Sequence, residues 1–295
     1  MKYDYIIVGC GPAGTVSAYC LQKQGYKCLI LEAKNKLTEK TCGGFVTWSG
    51  LSRLADIGMQ PKELISIGAQ ELHRITMIKN NKEKIVSYYG EEYGIGTQRL
   101  LLDKWLLEQA LRLGADVKFN SRVKSYYKHN NSFRVNGEIA KRLVFATGAY
   151  GYRPVSSEEL IASQSFGISA QIFGESSLAD DTVYFWYLDE NTVNYFWVVP
   201  IGQKMWNIGI WFQSMPADSF RKFRYYKNKL IDVFFYDHRY IRSPHGSFCG
   251  HMDFSVYLEN NCFGVGDFAG CNIKTTGEGI RYAIESAISR TSRGV

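Results

Sequence analysis

A chain of 295 residues, 45% hydrophobic and 21% charged, holds enough apolar material for one large domain or two closely packed ones, and is not a disordered tail. Its formal net charge of +7 permits an anionic ligand or a membrane surface, but the basic residues are scattered, which argues against nucleic acid as a partner. The aromatic share of 15% is high, and these rings have to line a core, a pocket or both.

Residues 4–8 (DYIIV) read as a short buried strand, followed by the glycine turn GCGPAG and a helix over 12–24 that Gly25 stops. KCLILEA, at 27–33, is a second buried strand, so the opening is a βαβ unit with a parallel sheet. Residues 71–88 read as a hairpin turning at Asn80-Asn81. A helix follows over 98–113, with Thr97 as its N-cap and Gly114 as its stop. ADVKF, RVKSYY and FRVNG read as strands, and KRLVFATGAYG as one more that ends in glycines. From 165 to 212 the character changes: TVYFWYL, TVNYFWVVP and KMWNIGIWF form an aromatic-rich antiparallel meander with turns at DEN and GQ. Residues 219–236 read as a basic helix, and the end is a strand, a glycine loop and a final helix.

Seven cysteines, an odd number without a Cys-x-x-Cys pair, fit a reducing compartment. The N-terminus is broken by Asp4 and glycines, so it does not read as a signal peptide, and no run is long enough to span a bilayer. The expectation is a cytoplasmic protein. The run at 220–229 (FRKFRYYKNK), with five basic residues and no acid, reads either as a solvated helix face or as a peripheral contact to an anionic membrane. The five histidines have no spacing suited to a metal site with the cysteines.

Two patterns carry chemistry. Gly9-x-Gly11-x-x-Gly14 sits between a strand and a helix, where glycines allow a tight turn and close approach of a pyrophosphate to the helix N-terminus. Glu32 ends the second strand, 18 residues past Gly14, where a carboxylate binds a ribose diol. At the other end of the chain, VGDFAG places Asp267 at a strand end, and TTGEGI opens a helix whose N–H groups stabilise negative charge on an adjacent ring. Taken singly, each late motif reads first as an Asp or Thr cap on an ordinary helix; together, the motifs at the two ends of the chain read as one extended cofactor crossing the molecule.

YDYIIVGCGPAG, LILEAKNKLTEKTCGGFV, GTQRLLLDKWLLEQALRLGADV and FGVGDFAGCNIKTTGEGIRYAIESA together resemble the geranylgeranyl reductase-related flavoproteins of the p-hydroxybenzoate hydroxylase-like FAD superfamily. The resemblance implies an α/β fold: a Rossmann-like FAD-binding domain with a parallel sheet, built from 1–70, 95–155 and 255–295, plus an antiparallel-sheet substrate domain from 71–94 and 156–254. It implies FAD as the cofactor, with Gly9, Gly11 and Gly14 at the pyrophosphate and Glu32 on the adenosine ribose. Arg99 then reaches the phosphate–ribose region, the Val123 backbone meets adenine, and Asp267 binds the ribityl chain. Gly277, Gly279 and Ile280 lie beside the flavin ring, and Pro12, Ala13, Ala33, Lys40, Thr147, Gly148 and Gly266 complete the cofactor set.

The resemblance also places the Cys42-Gly43-Gly44 loop against the isoalloxazine, as the catalytic segment. Cys42 is then a proton donor, a pocket former or a small packing residue, and Lys40 beside it would lower its pKa. Phe45, Trp186, Tyr195 and Trp197 are the expected substrate wall, with Trp206 extending it, or else they simply pack a sheet. Two departures stand out. The superfamily's Asp-Gly signature of classical hydroxylases is replaced at Thr147, and the chain stops at Val295, where relatives continue with helices that enclose a prenyl chain.

The expected activity is flavin hydride transfer to an apolar alkene or aromatic substrate, with NAD(P)H as a transient donor or electrons from a partner protein. The alternatives are an oxygen-using monooxygenase or halogenase, and a non-catalytic prenyl-binding protein on the same fold.

Overall fold

The computed structural model describes residues 2–79, 82–87, 94–151, 165–188, 194–251, 253 and 258–292; the expected turns at 80–81 and 189–191 lie outside them. The fold is α/β and is organised on three sheets.

The first sheet has β1 (Tyr3–Val8) at its centre, paired in parallel with β2 (Cys28–Leu31) on one side and β11 (Glu138–Phe145) on the other. Beyond β2 lies β8 (Asp116–Lys118). The start of β11 pairs antiparallel with β10 (Ser132–Val135) and then β9 (Tyr127–His129), while its end takes β17 (Cys262–Gly264) in parallel. A strand flanked on both sides must be apolar on both faces. Ile6, Ile7, Leu29 and Ile30 are accordingly inaccessible to solvent, each stabilising the fold by about 1.5–3 kcal/mol.

Helix α1 (Pro12–Lys23) is buried continuously from Pro12 to Leu21, because α4 (Arg99–Arg112) and the last helix, α6 (Ile280–Ser292), both pack on it. Gly25, with φ +84°, donates its N–H to the Gln22 carbonyl and ends α1.

The second sheet runs β16 (Phe235–Cys249), β12 (Ser165–Ser176), β15 (Met205–Phe212), β14 (Tyr195–Pro200), β13 (Thr182–Tyr187), β5 (Arg74–Lys79), β6 (Lys82–Ser87). Helix α5 (Ser219–Phe234) covers one face, burying Phe223 and Ile231 among Phe196, Ile208 and Ile210. A small third sheet joins β3 (Phe45–Val46), β7 (Gly94–Gly96) and β4 (Gln70–Leu72), beside the short helices α2 (Trp48–Asp56) and α3 (Lys62–Ser66).

The structure departs from the sequence reading at several places. RVKSYY is not a strand over 122–126, because the Asn136 side chain donates to the carbonyls of Ser121 and Arg122, and the chain around Val123 runs as a loop. β12 and β16, two long neighbouring strands, had no strand signal, being interrupted by glycine, serine, proline and charge. The basic helix accordingly ends at Phe234, and Phe235 begins β16.

Candidate functional site

The glycine turn is sterically forced. At Gly9, φ is +109° and a Cβ would stand 2.4 Å from the Ala146 carbonyl oxygen; at Gly14 it would stand 2.0 Å from the Gly9 oxygen. Gly11 differs, since its Cβ would meet only the Lys40 Nζ, at 3.5 Å. Gly11 caps α1 without a side-chain bond, Pro12 brings no N–H, and no acid occupies the first turn, so the positive helix end faces the Lys40 ammonium. Glu32 turns back to this loop, its Oε2 accepting the Cys10 N–H at 3.0 Å and its Oε1 the Lys34 N–H at 3.0 Å.

Lys40 leads into a buried ionic cluster. Its Nζ lies 2.9 Å from Asp103 Oδ2, and Arg99 closes on the same carboxylate through Nε at 3.1 Å and Nη2 at 3.0 Å. Burial alone would raise the Asp103 pKa, but Arg99 and Lys40 hold it below the usual carboxylate range. Burial likewise pulls on the Arg99 guanidinium, and Asp103 followed by Cys42 outweighs it and holds Arg99 above its ordinary value. The expectation that Lys40 serves Cys42 is therefore corrected: Lys40 is engaged by Asp103, and the cation facing Cys42 is Arg99.

The Cys42-Gly43-Gly44 segment is clamped from the second sheet. The Cys42 N–H donates to Ser169 Oγ at 3.3 Å, and Asn207 Nδ2 donates to the Cys42 carbonyl at 2.8 Å. Asn207 Oδ1 in turn accepts the indole N–H of Trp197 at 2.9 Å. Gly44, at φ +73°, is pressed against the Thr97 oxygen, 2.4 Å from where a Cβ would lie. A Cβ on Gly43 would only touch the Trp197 indole, at 3.6 Å.

Trp197 belongs to a wall. Because β14 pairs Tyr195 with Trp211 and Trp197 with Gly209, one face carries Tyr195, Trp197 and Trp211, to which Phe185 and Phe45 are added. Trp186 does not extend it. It pairs with Phe196 on the opposite face and packs with Trp206 into the core beneath α5, so both tryptophans are removed from the expected substrate surface.

The polar edges of the wall hold the late loop. The Tyr195 hydroxyl donates to the Thr276 carbonyl, Trp211 Nε1 donates to the Lys274 carbonyl at 3.3 Å, and Gly277 (φ +68°) leaves room for the Trp211 ring. Burial pushes the Tyr195 phenol well above its ordinary pKa. Asp267 Oδ1 accepts from Asn272 Nδ2 at 3.0 Å and lies 3.6 Å from a Cβ built on Gly279, just before Ile280 opens α6. Gly266 (φ +62°) sits against Ala13, so the two ends of the chain meet at the N-terminus of α1. Three buried side-chain polar atoms among the described residues lack a hydrogen-bond partner, and two belong here: Thr147 Oγ1, between Ala146 and Gly148, and Asn272 Oδ1.

The structure thus gathers the glycine turn, Glu32, Lys40, Arg99, the Cys42 loop, Phe45, Tyr195, Trp197 and the 266–280 loop around one seam between the first two sheets. The Val123 side chain packs with Phe133 and Phe145, while the loop that carries it is tied to the seam by the Ser121 N–H, which donates to the Glu32 carbonyl at 2.8 Å, and Ala33 follows Glu32. Sequence reasoning missed Glu39, Asp103, Ser169, Gln171 and Asn207. Glu39 replaces Thr97 as the cap of α4, accepting the N–H groups of Arg99 at 2.9 Å and Leu100 at 2.8 Å. Gln171 Nε2 steadies it at 3.1 Å. The available signal was a period-two row of polar residues, Ser165, Ser169 and Gln171, in an otherwise apolar stretch.

Residues 2–143 match the family described as "FAD binding domain". The chain is 27% identical over 241 residues to digeranylgeranylglycerophospholipid reductase 2 of Methanopyrus kandleri, covering 75% of this chain and 58% of that protein. It is 24% identical over 306 residues to digeranylgeranylglycerophospholipid reductase 3 of Methanosphaera stadtmanae, covering 97% of this chain and 76% of that protein. Among solved structures, a geranylgeranyl bacteriochlorophyll reductase-like protein from Thermoplasma acidophilum superposes with TM-score 0.77 at 23% identity, covering 98% of this chain and 77% of that one. The matched segment is similar to an FAD-binding domain, and the fold is one that this chain shares with the solved flavoprotein. In sequence the chain is similar, at 24–27% identity, to these digeranylgeranylglycerophospholipid reductases, and it spans 58% of the length of the first and 76% of the second.

Proposed function

We propose that the protein is an FAD-dependent oxidoreductase that reduces a carbon–carbon double bond in an apolar substrate, the prenyl-type alkene that the relatives' names suggest. The supporting observation is the clamp that Ser169 and Asn207 place on the Cys42-Gly43-Gly44 loop, directly against the aromatic wall. When bound, reduced FAD supplies a hydride to one alkene carbon, while the other carbon takes up a proton.

The chain's own residues fit that cofactor. The open α1 N-terminus and Lys40 suit a pyrophosphate, and the Glu32 carboxylate, with lone pairs to spare, suits a ribose diol. Asp267 and the two unpartnered oxygens of Thr147 and Asn272 suit the hydroxyls of a ribityl chain. Gly43 leaves a flat approach beside Trp197 for a ring. Asp103 holds Lys40 and Arg99 together at the entry to the Cys42 loop, and Phe45, Tyr195 and Trp197 exclude water from the substrate face. On this reading the first sheet with its helices is the cofactor domain and the second sheet the substrate domain. NAD(P)H or a donor protein delivers the electrons.

The test is product analysis. The FAD-loaded protein, chemically reduced without oxygen, is mixed with prenyl alkenes, and the products are weighed by mass spectrometry. A gain of two hydrogens per turnover is expected. Unchanged alkenes, together with an oxygenated or halogenated product in air, would overturn the proposal.

A further inference from the structure

Seven of the twelve exposed large hydrophobic side chains among the described residues lie on α5, on β16 and on the part of β12 beside them. The most open of these are Tyr236 at 79% exposure, Val233 at 69% and Tyr225 at 59%. Nothing in the fold calls for them. α5 already buries Phe223 and Ile231 in the core beneath it, and its outer face still presents Tyr225 and Val233.

The same surface is basic. Arg221, Lys222, Arg224 and Lys229 stand exposed on α5. The acids among them are Asp218, bridged by Arg221 and Lys222, Asp232, bridged by Lys227 with His238 at 3.7 Å, and Asp237, which leaves positive charge in excess. The helix and strand are contiguous here: the Tyr240 phenol, raised chiefly by burial, also lies in the fields of Asp232 and Arg224. Among the described residues β16 is an edge strand with β12 as its neighbour. An open edge carrying aromatics and cations suits the headgroup layer of a bilayer, where amphipathic rings and polar backbone are both satisfied. A second copy of so basic a face would meet like charge.

We propose that α5 and the adjoining end of β16 form a docking surface for an anionic phospholipid bilayer, with Tyr225, Val233 and Tyr236 entering the headgroup layer and Arg221, Arg224 and Lys229 held against lipid phosphates. β16 also reaches the candidate site: Arg242 Nη1 donates to the Lys40 carbonyl at 3.1 Å, and Cys249 packs with the aromatic wall. A docked β16 therefore places the seam next to a store of apolar substrate. That last consequence rests on the proposed reaction; the docking surface does not.

The experiment is cosedimentation of the full chain, with and without added FAD, with vesicles of phosphatidylglycerol and phosphatidylcholine or of phosphatidylcholine alone. Protein in the pellet is the readout, so a failure of flavin chemistry does not affect it. Binding is expected only to the anionic vesicles, weakening in 1 M salt as the screening length falls from about 8 Å to about 3 Å. The paired charge reversal Arg224→Glu/Lys229→Glu is expected to reduce partitioning roughly tenfold or more. Tyr225→Ser/Tyr236→Ser is expected to weaken it while the remainder keeps its salt dependence. All four positions are exposed, and an unchanged circular dichroism spectrum verifies folding. Equal binding to both vesicle types, or undiminished binding of the reversed variant, would overturn the proposal. So would a dimer in sedimentation that the same variants dissolve, since the face would then belong to a second copy.

Discussion

Gly43 and Gly44 are neighbours that lack a side chain for different reasons. Gly44 holds φ +73° with the Thr97 oxygen in the way, so Gly44→Ala is expected to cost at least about 1 kcal/mol, seen as a lower thermal midpoint. Gly43 meets no protein backbone, so Gly43→Ala should leave that midpoint nearly unchanged and weaken FAD binding in a fluorescence titration. Asp103 gives the pH prediction. Burial would raise its pKa, but Arg99 and Lys40 bring it below the unfolded value, so its contribution is complete above about pH 4 and fades as pH falls through the folded value. Asp103→Asn strands the nearly buried Arg99 and is expected to cost about 3–5 kcal/mol at neutral pH. The gap between the two proteins should narrow in thermal scans toward pH 3; a constant gap would show that the ion pairs contribute little.

β12 is the element that joins the two main layers. One of its faces enters the α5 core through Phe166, Ile168 and Ile172; the other sends Ser165 to His251, Ser169 to Cys42 and Gln171 to Glu39. Asn207 of β15 completes the clamp, and Asn207→Leu removes the partners of both Trp197 Nε1 and the Cys42 carbonyl. Its expected cost is about 1–3 kcal/mol for each group left unpaired, with a shift in tryptophan emission, while FAD affinity falls because the loop loosens. An unshifted emission and unchanged affinity would mean the loop is held elsewhere. The βαβ opening, α4, the aromatic meander and α6 were legible because period, glycine stops and burial agree there. β12 and β16 were not. Gly167 in β12 exists to seat the Trp211 ring, and the open edge of β16 tolerates Pro244 and several charges, so both strands carry the composition of loops. For the site, the glycines and Glu32 were readable from local spacing. Asp103, Ser169 and Asn207 were not, because their partners are far away in sequence and only the packing of the sheets brings them together. Trp186 failed for a simpler reason: a one-residue offset in strand register sends a side chain to the other face.

At the scale of the molecule, Gly266 against Ala13 brings the late loop to the first helix, and the Trp197 wall faces the loop that leaves Glu39 and Lys40. One ligand lying along that seam would be gripped by segments from the start, the middle and the end of the chain. Its occupancy should therefore raise the thermal midpoint as FAD is added, by linkage. The most direct measurement is a titration of the cofactor-free protein with FAD, following flavin emission in the wild type and in Trp197→Phe. The account predicts saturation at one FAD per chain, strong quenching by the indole beside Gly43, and brighter bound flavin in the variant. A protein that never saturates, or bound flavin whose emission is indifferent to Trp197, would contradict it.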